Sequence, residues 1–177
     1  MKLVAAHAGL GKGTVYHYFP SKADLLRELF NTSLDKARGR LNALLGVGGG
    51  PLEQLRGFCR GQLLTLIREP HLFRFFKRVF EEAELIFGDQ AQEVIGGYRD
   101  AIQAPVNRLF REAAGQGEIV EMMEGDSLKL FWGAMIGAVT VYFEGHDVAD
   151  AEAVADRALD LLFDGILVRP DRPEDQR

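Results

Sequence analysis

Residues 9–22, Gly9-Leu10-Gly11-Lys12-Gly13-Thr14-Val15-Tyr16-His17-Tyr18-Phe19-Pro20-Ser21-Lys22, hold the signals of a short helix, its stop and the start of the next helix. Gly9 and Gly11 suit a tight turn, because glycine enters the left-handed region without a Cβ clash. The spacing predicts a helix over about Lys12–Tyr18, ended by Pro20, which disfavours helical geometry at Phe19. Ser21 is placed to N-cap the following helix, with Asp24 as a capping-box partner that also complements the helix dipole. On the short helix only Val15 and Phe19 are purely apolar, while Lys12, Thr14, Tyr16, His17 and Tyr18 are long or hydrogen-bonding. A helix that packs one narrow edge and offers a lysine and polar aromatics on the other suits a nucleic-acid groove. Helix pairs joined through glycine also serve as structural hairpins, and composition leaves both readings open.

Downstream the pattern is helical throughout, with no hairpin signal, strict alternation or internal repeat. Leu25, Leu26, Leu29, Phe30, Leu34, Ala37, Leu41, Leu44 and Leu45 predict a helix from Ser21 to about Leu45, long enough to bridge two domains. Gly46–Gly50 reads as a linker, and Pro51 as the first residue of a helix carrying Leu52, Leu55, Phe58, Cys59, Leu63, Leu66 and Ile67. Glu69-Pro70 ends that stripe, and a third runs from Leu72 to Ala83. A fourth, about Asp89–Ala114, is expected to be kinked or divided by Pro105 and closed by Gly115-Gln116-Gly117. Leu128, Trp132, Met135, Val139 and Tyr142 form a heptad-like seam, with Gly133 and Gly137 permitting close helix approach. Val154, Ala158, Leu161, Leu162, Gly165 and Ile166 make a matching stripe on the final helix. The expected organisation is all-α: a helix-turn-helix unit with a bridging helix over 1–45, a C-terminal helical bundle over 51–169, and a charged tail over 170–177.

Charge follows the same division. Residues 1–40 hold seven Lys or Arg against three Asp or Glu, and the remainder fourteen against twenty-three. The basic end coincides with the helix-turn-helix motif, where a phosphate-facing surface is needed. The single cysteine, Cys59, excludes an internal disulfide and suits a reducing cytosol; its apolar-periodic setting reads as a packed thiol. The longest apolar run, Leu130–Phe143, is too short to span a bilayer and is broken by two glycines, so no membrane role is expected.

No catalytic constellation stands out, and no enzyme, metal or cofactor is expected. His7, His17, His71 and His146 are scattered, without Cys or carboxylate at metal-ligand spacing. Glu81, Glu82 and Glu84 read as a solvated helix face, and GVGGGP at 46–51 lacks the Lys-Ser/Thr of a phosphate loop. Gly96-Gly97 interrupts a helical pattern, which softens the helix or lets a ligand approach the backbone. The aromatic residues Phe58, Phe73, Phe76, Phe80, Phe87, Tyr98, Trp132, Tyr142 and Phe143 exceed what a minimal bundle uses; they fill a core or surround an apolar ligand.

The run Ala8-Gly9-Leu10-Gly11-Lys12-Gly13-Thr14-Val15-Tyr16-His17-Tyr18-Phe19-Pro20-Ser21-Lys22 resembles the signature of the TetR family, the tetracycline-repressor-like regulators. Gly11 departs from it, standing where the family usually has a capping serine. The resemblance implies a cytoplasmic, homodimeric repressor whose two recognition helices enter successive major grooves of a palindromic operator. It implies DNA contacts from Lys12, Gly13, Thr14, Tyr16, His17, Tyr18 and Lys22, with Tyr16, His17 and Lys22 mainly on phosphates and Lys12 and Thr14 toward base edges. It further implies a small apolar or amphipathic effector in a pocket lined by Phe58, Cys59, Gln62, Phe73, Phe76, Phe80, Tyr98, Trp132 and Met135. The last two helices are implied to pair with their symmetry mates through Leu128, Trp132, Met135, Val139, Tyr142, Val154, Ala158, Leu161, Leu162 and Gly165. In the family about one helix and part of a second precede the motif, so the first helix of the DNA-binding core is expected to lie outside this sequence. Met1 then marks a misassigned start or the chain is a fragment. An incomplete head leaves one alternative, a dimeric small-molecule-binding module with impaired DNA binding.

Overall fold

A computed structural model describes residues 1–120, 126–145 and 150–165, the side chains of 126–128, 130 and 143–145 excepted. Among these residues there is no β-strand. Helix α1 (Lys2–His7) ends at Gly9, whose φ of +65° lets Leu10 N–H donate to the Ala5 carbonyl at 2.9 Å and Gly9 N–H to that of Ala6 at 3.3 Å. These two bonds satisfy the helix's last carbonyls and set the turn. Helix α2 (Lys12–Tyr18) has the expected bounds, and Phe19 beyond it is extended, as the residue before a proline must be.

Helix α3 (Lys22–Val47) runs two residues beyond the expected end and spans about 39 Å at the usual rise. The predicted capping box forms: Asp24 N–H donates to Ser21 Oγ at 3.1 Å, and Ser21 N–H returns a bond to Asp24 Oδ2 at 3.0 Å. Helix α4 (Pro51–Arg68) begins at its proline, and Glu118 reaches back to accept from Leu52 N–H at 3.3 Å. It is the central element, packed by α3, α8 (Ala104–Gly115), α9 (Asp126–Gly145) and α10 (Ala151–Asp164).

Two expectations change between these elements. The third stripe divides into α5 (Pro70–Glu81) and α6 (Ala83–Phe87), broken at Glu82. The fourth is not divided by Pro105. After a 3₁₀ turn at Gly88–Gln90, α7 (Ala91–Tyr98) continues through a π-turn at Arg99–Gln103 into α8. Proline lacks an N–H, and its ring crowds the carbonyl four residues back. The wider π-turn, in which Ala104 N–H donates to the Arg99 carbonyl, takes up that crowding one turn early.

The main core joins Ala37 and Leu41 of α3 to Leu55, Phe58, Cys59, Leu63 and Ile67 of α4, Val106, Leu109 and Phe110 of α8, Phe131 of α9, and Leu159 and Phe163 of α10. A smaller cluster of Phe30, Val79, Phe87, Ala91 and Val94 sits under the first half of α3. A ladder of ion pairs fixes the register of α10 on α4. Arg56 meets Asp160 at 2.6 Å, Arg60 holds both oxygens of Asp156 at 2.6 and 3.0 Å, and Arg68 meets Glu152 at 2.7 Å. These pairs are partly exposed, so each contributes less than about 1 kcal/mol.

The expected dimer seam requires a correction. Met135, Val139 and Tyr142 are 2 %, 0 % and 1 % exposed, and all three lie in the core of a single protomer. Helix α9 is apolar around most of its circumference, so heptad spacing alone could not select which face meets α4. Its outward face carries Gly133, Ile136, Gly137 and Val141. On α10, Val154, Ala158 and Leu162 pack partly against the main core, whereas Leu161 and Gly165 are exposed. Trp132 is likewise half-buried against that core. The side chains of Leu128 and Phe143, Ile166 and the tail lie outside the described residues.

Candidate nucleic-acid interface

The short helix α2 shows its inner and outer faces plainly. Val15 is buried and Phe19, just past the end of the helix, is half-buried. Lys12, Gly13, Thr14, Tyr16, His17 and Tyr18 are all exposed, as is Lys22 in the first turn of α3. The Lys12 ammonium stands 5.5 Å from the centre of the Tyr16 ring, and the His17 and Tyr18 rings meet edge-on at 5.4 Å. A cation over an aromatic face is held without being neutralised, so Lys12 keeps its charge for an anionic partner. Gly11, the N-cap of α2, is extended (φ −65°, ψ 144°) and supplies no capping side chain. The Ser21 hydroxyl, followed by its backbone N–H and the Arg27 guanidinium, holds the Asp24 carboxyl below its usual range. The capping box therefore stays formed at neutral pH, and the corner between α2 and α3 is fixed.

The nine residues expected around an effector are spread over both cores. Phe58, Cys59, Phe73 and Met135 are buried in the main core, and Tyr98 and Trp132 pack against it. Phe76 belongs beside the smaller cluster, and Phe80 stacks on Phe76 and meets Tyr98 edge-on at 4.8 Å. Gln62 does not face them as a free polar group: it accepts from Arg40 of α3 at 2.8 Å. Burial pushes the Cys59 thiol far above its ordinary pKa and the Tyr98 phenol to about 12, so both are neutral. Two buried polar atoms, Trp132 Nε1 and Asn107 Oδ1, have no hydrogen-bond partner among the described residues. Asn107 was not anticipated, although a polar residue beside the Val106/Phe110 stripe is the sign that could have found it.

Among the described residues, clefts open to the surface in at least two places. One of 740 Å³ lies between α4 and α10 and is lined by Arg56, Arg60, Glu118, Asp156 and Asp160 among others. Another, of 530 Å³, lies between α6 and α7, and of the nine expected residues it includes Phe80. Among the described residues no group of His, Cys, Asp and Glu could hold a metal ion, and no helix is long and apolar enough to cross a membrane.

Residues 1–29 match the family model described as bacterial regulatory proteins, tetR family. The N-terminal segment of the chain is thus similar to the TetR family. Among curated relatives, the "Fatty acid metabolism regulator protein" of Bacillus subtilis (strain 168) is 23 % identical over 164 residues, covering 92 % of this chain and 82 % of that protein. The "HTH-type transcriptional repressor KstR" of Mycolicibacterium smegmatis is 29 % identical over 122 residues, covering 68 % of this chain and 55 % of that one. Among solved structures, the ketosteroid transcriptional regulator KstR2 of Mycobacterium tuberculosis superposes with a TM-score of 0.69 at 19 % identity, covering 94 % of this chain and 83 % of that one. That likeness shows a shared fold that continues from the N-terminal motif through the C-terminal helices.

Proposed function

We propose that this chain is a TetR-family, cytoplasmic, DNA-binding transcriptional repressor that reads a palindromic operator as a homodimer and releases it on binding a small apolar or amphipathic effector. One observation carries the DNA reading. Every side chain expected to meet DNA lies exposed on or beside α2, while the two apolar residues of that helix point inward. Tyr16, His17 and Lys22 hold phosphates and set register; Lys12 and Thr14 reach base edges.

The dimer reading is supported by the outward faces of the last two helices. Gly133 and Gly137 leave room for close approach, and Val141 and Leu161 are 61 % and 74 % exposed despite being large and apolar. The effector reading is supported by the half-buried aromatic residues between the cores and by the unpartnered Trp132 and Asn107 atoms, which suit the polar end of an amphipathic ligand. The proteins named above include a fatty acid metabolism regulator and a ketosteroid transcriptional regulator, and a lipid-derived effector fits those names.

The test begins with a duplex enriched by the full chain from a randomised pool. Tyr16→Ala and Lys22→Ala are expected to weaken the enriched and a random duplex alike, and Lys22→Ala to lower the slope of log K against log salt by about 0.9. Loss on the enriched duplex alone would contradict the phosphate role. A ligand that raises the melting temperature yet leaves affinity for the enriched duplex unchanged would contradict release by an effector.

A further inference from the structure

Helix α3 meets the C-terminal helices in two ways. Its second half enters the main core through Ala37 and Leu41, and Phe30 seats the first half on the smaller cluster. Between Phe30 and the reading helix, Ala23 and Leu26 also pack against the smaller cluster, and a polar link is added to that apolar grip. Arg27 donates from Nη1 to Gln90 Oε1, in the 3₁₀ turn between α6 and α7. Its Nη2 donates to Asp24 Oδ1 at 2.7 Å. The other oxygen of Asp24 accepts from the Ser21 hydroxyl at 2.7 Å and from Ser21 N–H at 3.0 Å. A continuous chain of hydrogen bonds thus runs from Gln90 to the corner where α2 joins α3.

We propose that Arg27 is the positioning residue that ties the DNA-reading head to the C-terminal helices, with the Gly88–Gln90 turn as the point where a change in those helices is passed to α2. The proposal rests on the DNA-binding reading above. Three features favour this place. The planar guanidinium reaches two acceptors at once, which a lysine ammonium does only as a flexible point charge. The acceptor at one end belongs to the cap of α3 itself, so a shift of Arg27 disturbs the α2–α3 corner directly. The turn at the other end begins at Gly88 with a φ of +57°, a conformation open to glycine and strained for other side chains, between two helices that pack under α3.

The test uses the full chain carrying spin labels at Thr14→Cys and Glu93→Cys, both exposed, diluted into unlabelled chain; Cys59 is fully buried and escapes labelling. The distance distribution between labels is expected to be narrow in the parent. Arg27→Ala and Gln90→Ala broaden it alike, the double variant broadens it no further, and Gln90→Glu, which keeps the acceptor, leaves it narrow. On the enriched duplex both alanine variants lose about three- to fivefold in affinity, the range for a partly exposed polar link, with random-duplex affinity unchanged. A narrow distribution in both variants overturns the proposal. So does broadening in Arg27→Ala alone, because Arg27 then acts only through the cap. If the parent enriches no duplex, the DNA-binding reading fails, and the distance distributions still decide the tether.

Discussion

Phe30 offers the sharpest test of how the bridging helix is held. Its side chain is 0 % exposed, with ring centroids 5.5 Å from Phe76 and 6.1 Å from Phe80, at the centre of a cluster with four other buried members. Truncation to alanine removes the transfer free energy of a whole ring and leaves a cavity, which costs about 3–5 kcal/mol at such sites. That is a large part of the roughly 5–15 kcal/mol available to a domain, so Phe30→Leu is the more informative variant. Leucine keeps most of the apolar burial and loses two aromatic pairs, each worth about 0.5–1.5 kcal/mol. The expected loss is about 1–3 kcal/mol, or roughly 2–12 °C in melting temperature for a chain of this size. Urea unfolding at constant m-value measures it, with Leu29→Ala as the neighbouring control. Leu29 is 44 % exposed, and its change should stay within about 0.5 kcal/mol. Hydrogen exchange locates the effect: amides of α5, α6 and α7 should lose protection before those of α4. If Phe30→Leu costs no more than Leu29→Ala, the smaller cluster does not hold α3 and the reasoning fails.

Three further outcomes follow from the same geometry. The Arg60 hydrogen bonds hold the Asp156 carboxyl below its ordinary value near 3.8. A depressed folded-state pKa means the pair's stability is present above the unfolded pKa and is lost as pH falls through the folded one. Asp156→Asn should therefore lower stability at pH 7 by less than about 1 kcal/mol, with the difference from the parent starting to shrink as pH falls through about 4 and gone only below the depressed folded value; a difference that grows toward low pH would contradict the assignment. Gly11→Ser restores a capping hydroxyl at an extended backbone position where an added Cβ meets only Thr14 Oγ1 at 3.6 Å. A gain of a few tenths of a kcal/mol in thermal unfolding is expected, and a loss would show that the site rejects a side chain. Val141→Asp should leave the helical circular dichroism intact and dissociate the proposed dimer in sedimentation, whereas Met135→Asp should unfold the protomer; an unfolded Val141→Asp would place that residue in a core.

The local structure was written into short stretches of sequence, because its causes are local. Gly9, Pro20, Ser21 and Asp24 act on their own backbone within a few residues, so α2 begins and ends where those residues require, and its inner and outer faces follow from Val15 and Phe19. The charge division and the proline at the head of α4 are legible in the same way. Only tertiary structure decided what depends on which partner a face meets. Pro105 reads as a kink or a break, and a π-turn just before it carries the helix on without a break. The Leu128–Tyr142 spacing reads as an interface, yet the protomer's own main core buries Met135, Val139 and Tyr142, because periodicity measures how many apolar faces a helix has and not which neighbour covers each. Arg27 and Gln90 are 63 residues apart and carry no local signal, so their pairing exists only once α3 lies across the turn that holds Gln90.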